Sequence, residues 1–296
     1  MRPHLNAGWL LAAHRCELLQ PGDFVNLPIC WPASELVVAN VEGQVHAFPN
    51  ACPHRGARIY TDLAGNMPPV CRYHGRLLRP EQTKTYHTRW AGDWLFVCVA
   101  DDMPALEDAF FLHDSPPLRR HSTLQYVYPC HWRVAVENAI DNEHVAHVHA
   151  ASLARLGLSR TSLVTRASGS SCEFFASQQS PRLDAIGRTM PCSDAFDYAH
   201  ALLYPWAAVS STRGWIYSLQ HYFPRQDGKT SFVSRLFVQA DAPPHAAALF
   251  DQVAAVSAQV FREDAEVCAL LPVGDVGKLG PADDRVAHFR RDGYRG

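Results

Sequence analysis

Two short motifs in the N-terminal part of the sequence each combine a cysteine, a histidine and a glycine. The first reads Cys-Pro-His-Arg-Gly from residue 52, and the second reads Cys-Arg-Tyr-His-Gly from residue 71. Two thiolates and two imidazoles on paired loops can hold a [2Fe–2S] cluster, with both cysteines on one iron and both histidines on the other. The glycines allow the tight backbone turns that such loops need. The expected cluster ligands are Cys52, His54, Cys71 and His74.

A zinc site with two cysteines and two histidines is the competing interpretation. Its usual spacing places cysteine beside cysteine and histidine beside histidine, whereas each motif here carries one of each. This arrangement therefore favours the iron–sulfur cluster. Neutral imidazoles make such a cluster less negative than one with four thiolates and raise its reduction potential by roughly 0.3 V or more. We expect the other cysteines of the chain to be packed thiols.

A second group of ionisable residues lies in the segment 137–149, which holds three histidines and three acidic residues. Such a group suits a site in which two histidines and one carboxylate bind non-haem Fe(II) and leave positions open for O2. The sequence predicts one helix over Trp132–His149. On a regular helix His144 and His147 share a face, whereas His149 would converge with His144 only at a local distortion such as a π-type turn. Geometry alone therefore prefers His147, and a polar surface helix is the other alternative.

The third iron ligand is expected far along the chain, in a helix of about 25 residues after Pro243-Pro244. A charge on the buried face of a helix is costly unless it is paired or bound to a metal. This reasoning selects Asp264, with an arginine-paired aspartate as the alternative, and leaves Glu263 and Glu266 in solvent. The predicted buried stripe comprises Val253, Ser257, Val260, Asp264, Val267 and Leu271.

The two cysteine–histidine motifs resemble those of the Rieske family, and the likeness covers about residues 20–110. Arg72 stands where proline is usual, and Arg76 stands where an aromatic residue often follows the His-Gly pair. The spacing Asp-x2-His-x4-His from residue 141 is similar to that of the Rieske-type non-haem iron oxygenases, the aromatic ring-hydroxylating alpha-subunit family. The resemblance therefore implies His149 rather than His147 as the second histidine ligand.

The same resemblance implies that His144, His149 and Asp264 bind the mononuclear iron. It also implies a role for Asp141, which would bridge the iron site to His74 of a neighbouring subunit in a ring-shaped homotrimer. Asp141 lies close enough in sequence to His144 to orient that ring as a hydrogen-bond acceptor. An ordinary surface aspartate is the alternative.

The coarse pattern of the chain predicts an α+β protein. Short strands broken by turns follow one another from Asp23 to about residue 100, and a proline-rich stretch at 101–117 is a plausible boundary. Aromatic, strand-like runs return at 202–240. We therefore expect an all-β Rieske domain at 1–115 and a catalytic domain at 116–296, with an antiparallel sheet flanked by helices.

Composition excludes several classes of partner. Of the 296 residues 47% are hydrophobic and 19% charged, and the net charge of −2 argues against nucleic-acid binding. The longest apolar run, residues 94–100, is far too short for a membrane span. No convincing leader is present, so a cytoplasmic location is expected. The sequence has no dinucleotide-binding glycine fingerprint, so electrons from NAD(P)H are expected through a separate ferredoxin or flavin reductase.

The resemblance implies a terminal oxygenase that uses O2 to hydroxylate or oxidatively demethylate a small aromatic or alicyclic substrate. The short interval between Asp141 and Asp264 favours the single-component O-demethylase and monooxygenase branch over ring cis-dihydroxylation. A Rieske electron carrier without oxygenase activity and a zinc-stabilised binding protein are the alternatives from other classes. Residues that are expected to form the core or line a pocket are Trp206, Trp215, Tyr217, Tyr222, Phe223, Phe232 and Phe237.

Overall fold

The structure is a computed structural model in which two compact units follow one another, Ala7–Asp114 and Ser115–Gly296. Most of the proline-rich stretch at 101–117 lies outside the described residues, as do Cys30 and Cys192. The described residues are 8–29, 35–98, 106, 115–141, 143–153, 159–168, 171–179, 184, 187–188, 190, 196–274 and 277–293.

The N-terminal unit is built from antiparallel strands. A two-residue turn at Glu42 and Gly43, both with positive φ, closes a hairpin in which Leu36 pairs with Pro49. The strands are β1 (Trp9–His14), β2 (Asp23–Leu27), β3 (Leu36–Val41), β4 (Gln44–Pro49), β5 (Ala64–Asn66), β6 (Val70–Cys71), β7 (Arg76–Leu77), β8 (His87–Ala91) and β9 (Trp94–Cys98).

These nine strands form three sheets. Their orders are β1-β9-β8, β4-β3-β2-β5 and β6-β7. Phe24 and Tyr60 stack at the centre of one apolar core, with ring centroids 4.0 Å apart. Cys52 and Cys71 are both buried in that core, so the hydrophobic packing of the unit fixes where the two cysteine–histidine loops begin.

In the second unit the described residues form a sheet of seven antiparallel strands, in the order β10-β16-β15-β14-β13-β12-β11. The predicted α+β class, with an all-β domain ahead of an antiparallel sheet and helices, is confirmed. The strands are β10 (Leu118–Tyr128), β11 (Ser159–Ser168), β12 (Ser171–Gln179), β13 (Tyr198–Leu203), β14 (Ala207–Thr212), β15 (Ile216–Pro224) and β16 (Thr230–Gln239). The helices are α1 (Trp132–Ile140), α2 (Val145–Val148), α3 (Ala247–Cys268) and α4 (Asp284–His288).

Strand alternation divides five of the seven expected aromatic residues, those that lie on β15 and β16, between the two faces of this sheet. Phe232 packs against Phe261 of α3, with ring centroids 4.7 Å apart, and Tyr222 lies beside it on the same face. Tyr217, Phe223 and Phe237 alternate with residues of that face and therefore point to the opposite one. All five of these side chains are buried. Of the five, Phe232 and Tyr222 lie on the face that packs against α3.

Two details of the helix predictions are wrong. The segment 132–149 is not one helix, because α1 ends at Ile140 and Asp141 has extended backbone angles. Leu271 lies beyond the end of α3 and is 50% exposed, so it does not belong to a buried stripe. Among the described residues, no helix is long and apolar enough to cross a membrane.

Candidate metal centres

The two cysteine–histidine loops are closed in the same way. In the first loop the backbone N–H of Gly56 donates to the carbonyl of Cys52 over 2.7 Å, and in the second Gly75 donates to Cys71 over 2.8 Å. Both glycines adopt positive φ, 72° and 67°, in a region that other residues enter at a cost. Each loop thus turns its histidine back toward the start of the loop.

A buried asparagine holds the first loop in place. Asn50 accepts hydrogen bonds from the backbone N–H groups of Ile59 and Tyr60 at 3.1 and 2.9 Å, and it donates to the carbonyl of Tyr60 at 2.7 Å. These bonds tie the two ends of the loop together across Cys52. Asn50 was not among the residues predicted from the sequence, although its position two residues ahead of Cys52 was a usable signal.

The four expected cluster ligands form two pairs. The thiols of Cys52 and Cys71 are buried and hydrogen-bonded to each other, and the Nδ1 atoms of His54 and His74 are 3.3 Å apart. Backbone N–H groups and the neighbouring thiol lower the pKa of Cys71 and so favour its thiolate, the form that binds metals. Two sulfur donors in the core and two facing nitrogen donors at the surface suit a cluster with one iron for each pair.

The surface around the two histidines is exposed and basic. Tyr73 is 61% exposed and lies against the ring of His74, with centroids 4.2 Å apart. Arg58 forms an ion pair with Glu35 and therefore stabilises its own loop. Four further arginines in or near the two motifs are also exposed: Arg55, Arg72, Arg76 and Arg79.

A local hydrogen bond ends α1 just before the second group of histidines. The Asp141 carboxylate accepts from the backbone N–H of Glu143 over 2.7 Å, in competition with the helical pattern. The chain then forms the single turn α2, with His144 at its start and His149 at its end. As a result the rings of His144 and His149 lie 5.2 Å apart, while His147 between them is exposed.

Asp264 on α3 meets these two histidines. Its Oδ1 lies 3.1 Å from Nε2 of His149 and 3.5 Å from Nε2 of His144. One donor atom from each of the three side chains lies within 4.8 Å of the other two. Asn138 on α1 donates to the same oxygen of Asp264 over 2.8 Å, a contact that the sequence interpretation did not foresee. The structure thus brings His144, His149 and Asp264 together and leaves His147 apart.

A second carboxylate lies behind His149. Oε2 of Glu263 is 2.9 Å from Nδ1 of His149, and the Glu263 side chain is only 12% exposed. The expectation that Glu263 lies in solvent is therefore wrong, whereas Glu266 is exposed as expected. On the other side of the site, Oδ2 of Asp141 lies 3.6 Å from Nδ1 of His144, which is too long for a hydrogen bond.

The charges in this site are tightly balanced. Burial opposes ionisation of Asp264, but hydrogen bonds from His144 and His149 outweigh it and lower its pKa to about 2. Burial likewise opposes protonation of His144, yet the Asp141 and Asp264 carboxylates raise its pKa to about 9. Two imidazole nitrogens therefore converge on one ionised oxygen, and a divalent cation could take the place of their protons. This donor set fits non-haem Fe(II).

Comparisons with known proteins agree with this geometry. Residues 8–88 match the family model described as the Rieske [2Fe-2S] domain. Residues 117–274, more than half of the chain, match the model described as the ring hydroxylating alpha subunit, catalytic domain. Together the two matches imply a Rieske cluster and a mononuclear iron in the same chain.

Curated relatives match about half of the chain. The glycine betaine monooxygenase oxygenase subunit of Pseudomonas aeruginosa is 31% identical over 173 residues, which is 48% of this chain and 39% of that protein. The toluate 1,2-dioxygenase alpha subunit of Pseudomonas putida is 26% identical over 188 residues, 50% of this chain and 41% of that protein. The matched region thus spans well under half of the length of either relative.

Solved structures share the fold over nearly all of the chain. A naphthalene 1,2-dioxygenase matches with a TM-score of 0.71 and 18% identity, over 97% of this chain and 78% of that one. The quaternary ammonium Rieske monooxygenase CntA in complex with L-carnitine matches with a TM-score of 0.69 and 15% identity, over 90% and 78%. The chain belongs to the ring-hydroxylating alpha-subunit family and carries a Rieske domain ahead of its catalytic domain.

Proposed function

We propose that the protein is the terminal oxygenase component of a multicomponent system. It would use O2, and electrons that originate in NAD(P)H, to hydroxylate or oxidatively demethylate a small organic substrate. The observation that carries this proposal is the presence of two different ligand sets in one chain. One is a sulfur and nitrogen set that suits an electron-carrying cluster, and the other is an oxygen and nitrogen set that suits Fe(II).

In this proposal Cys52, His54, Cys71 and His74 hold the [2Fe–2S] cluster. The two cysteines keep their side of the cluster inside the apolar core, where it is protected from water. The two histidines are exposed, so they present the edge at which an electron donor or acceptor can approach. Exposed arginines nearby give that surface positive charge, which suits an acidic ferredoxin or flavin reductase as partner.

His144, His149 and Asp264 would hold the mononuclear iron. When bound, the cluster supplies single electrons and the iron supplies the chemistry that activates O2. The protein holds the three ligand atoms on two separate helical segments, α2 and α3, and Asn138 orients the aspartate. Buried phenols at Tyr128 and Tyr222 lie near Asp264, and burial together with that charge raises the pKa of both, so they remain neutral.

We further propose that the working form is a homotrimer. Asp141 supports this arrangement, because its carboxylate already lies 3.6 Å from His144 and its side chain remains 30% exposed. It could therefore reach His144 on one side and His74 of a neighbouring subunit on the other, and so link the two metal sites. Inter-subunit electron transfer is described for the quaternary ammonium Rieske monooxygenase of similar fold.

The chemistry of the relatives favours monooxygenation over ring cis-dihydroxylation, since glycine betaine and carnitine monooxygenases stand among them. Dioxygenases also stand among them, so cis-dihydroxylation is the alternative outcome. Tyr222, Phe232 and Phe261 pack against one another as core, so the proposed aromatic or alicyclic substrate rests on the family resemblance and not on these side chains. The described cysteines form no disulfide bonds with one another, which suits the reducing cytoplasm as the proposed location.

Iron stoichiometry and oxygen uptake test the proposal together. The purified chain should contain about three irons, two with acid-labile sulfide and one without, and should consume O2 when a surrogate reductase supplies electrons from NADH. A substrate screen with products identified by mass then separates hydroxylation, demethylation and dihydroxylation. A chain with two irons and no substrate-dependent oxygen uptake would instead be an electron carrier, and a colourless chain without iron would disprove both.

A further inference from the structure

The two ring nitrogens of His149 have different partners. Nε2 faces Oδ1 of Asp264 at 3.1 Å, and Nδ1 faces Oε2 of Glu263 at 2.9 Å. An ionised carboxylate can only accept, so the proton of a neutral His149 must lie on Nδ1 when that bond is made. The lone pair of Nε2 then points toward Asp264 and His144. Glu263 thus selects the one tautomer in which His149 can serve as a ligand beside Asp264.

Glu263 is itself held on both oxygens. Ser152 Oγ donates to Oε2 over 2.6 Å, and Gln259 Nε2 donates to Oε1 over 2.9 Å from one turn earlier on α3. The backbone N–H of Ser152 also donates to the carbonyl of His149 over 3.2 Å. The carboxylate and the imidazole are therefore fixed relative to each other by bonds from two separate segments of the chain.

Burial strengthens the electrostatic interaction between His149 and Glu263. The side chain of His149 is 3% exposed and that of Glu263 is 12% exposed, so water screens their interaction only weakly. His144 has no carboxylate contact as short as this one, because Oδ2 of Asp141 lies 3.6 Å from its Nδ1. Of the two histidines beside Asp264, His149 is thus the one with a short carboxylate contact behind it.

We propose that Glu263 is a positioning residue for the mononuclear iron site, which orients His149, fixes its tautomer and increases its basicity as a ligand. This inference rests on the iron site of the proposed function. Carboxylates behind ligand histidines of other metal sites change metal affinity by roughly 10- to 100-fold when they are removed. Glu263 contacts the His149 nitrogen that faces away from Asp264, so its effect on the proposed iron site would pass through the His149 ring.

Glu263→Gln in the full chain tests the proposal, because the amide keeps the shape and removes the charge. Anaerobic titration of the cluster-loaded protein with ferrous iron against a competing chelator should show roughly 10- to 100-fold weaker binding than in the parent. Glu266→Gln is the matched control, since it makes the same charge change three residues later on an exposed position of α3. It should bind iron as the parent does.

A spectroscopic measurement separates ligand positioning from a general effect on the helix. The electron paramagnetic resonance signal of the nitric oxide adduct of the ferrous site should change its rhombicity in Glu263→Gln and stay parental in Glu266→Gln. Should Glu263→Gln not fold, Ser152→Ala replaces it, because it removes the bond that holds Oε2, the oxygen that faces His149, and should also weaken iron binding and alter the signal.

The outcomes distinguish this inference from the function on which it rests. Parental iron affinity and an unchanged signal in the folded Glu263→Gln protein, or in Ser152→Ala if that variant is used, would overturn the positioning role alone. A parent chain that binds no ferrous iron beyond its cluster would overturn the proposed function and this inference with it.

Discussion

Asn138 donates a hydrogen bond to Oδ1 of Asp264 over 2.8 Å, although the two residues are 126 positions apart in the sequence. The same oxygen faces His149 at 3.1 Å and His144 at 3.5 Å. The amide therefore joins α1 to α3 and also sets the direction in which the carboxylate points. A single contact thus contributes both to the packing of the catalytic unit and to the geometry of its candidate iron site.

Asn138→Ala should lower the stability of the catalytic unit and weaken iron binding at its candidate site. It removes a hydrogen bond to a charged group in a largely buried place, so we expect a loss of about 1.5–3 kcal/mol in the free energy of unfolding of the catalytic unit. Iron bound at the mononuclear site should decrease as well. Denaturant unfolding and iron analysis measure the two effects. Parental values of both would mean that the carboxylate is oriented without the amide.

Asp264→Ala should separate the two metal sites. The side chain lies in the catalytic unit, so the visible spectrum of the cluster should remain while the mononuclear iron and all turnover are lost. Optical spectra, iron analysis and oxygen uptake check this expectation. The exposed Glu266→Ala on the same helix is the control. Retained turnover in the Asp264 variant would mean that another carboxylate is the ligand.

A pair of alanine variants decides between the two candidate histidines. His149→Ala should lose the mononuclear iron, since its Nε2 lies 3.1 Å from Asp264, whereas His147→Ala should keep it, since His147 is exposed. Iron content of the two purified proteins, normalised to cluster sulfide, gives the answer. The reverse pattern would restore the regular-helix interpretation of this segment.

Asp141→Asn should slow electron transfer without removing either metal. The asparagine keeps the local turn, because its side-chain oxygen can still accept from Glu143, but it removes the charge near His144. Single-turnover product formation after rapid mixing of the reduced protein with substrate and O2 should be slower than in the parent. Glu143→Gln, on an exposed neighbour, is the control. An unchanged rate would remove Asp141 from the electron path.

The buried His200 predicts a pH dependence of stability. This histidine is 3% exposed and stacks on Phe174, and burial together with the nearby Arg285 charge lowers its pKa from 6.5 to about 3. Below pH 6.5 the unfolded chain binds a proton at this position and the folded chain does not. The stability is therefore fully present above pH 6.5 and is lost progressively as the pH falls toward 3.

His200→Gln isolates that contribution, because the amide does not titrate. Between pH 7.5 and pH 5.5 the parent should lose about 1.4 kcal/mol more free energy of unfolding than the variant, one pKa unit being worth about 1.36 kcal/mol. Denaturant titrations of both proteins at the two pH values measure the difference. Equal losses would show that His200 does not titrate differently in the folded and unfolded chains.

Local spacing determined much of the candidate chemistry. Cysteine and histidine two or three residues apart must lie close together in any tight turn, so the two cluster motifs were recognisable without a fold. Asp264 was also recognisable, because helical periodicity shows which face of a helix a residue occupies. Both inferences depend only on the chain near the residue concerned.

Contacts between distant segments were decided by the tertiary structure. Helical periodicity does not predict the hydrogen bond from the backbone N–H of Glu143 to the Asp141 carboxylate, at which α1 ends. Because the helix breaks there, His149 rather than His147 faces Asp264 on the distant α3. Glu263 was assigned to solvent because its helix face was judged without knowing that α2 packs there. Such partners depend on how α1, α2 and α3 pack together, and packing between segments leaves no periodic signal in any one of them.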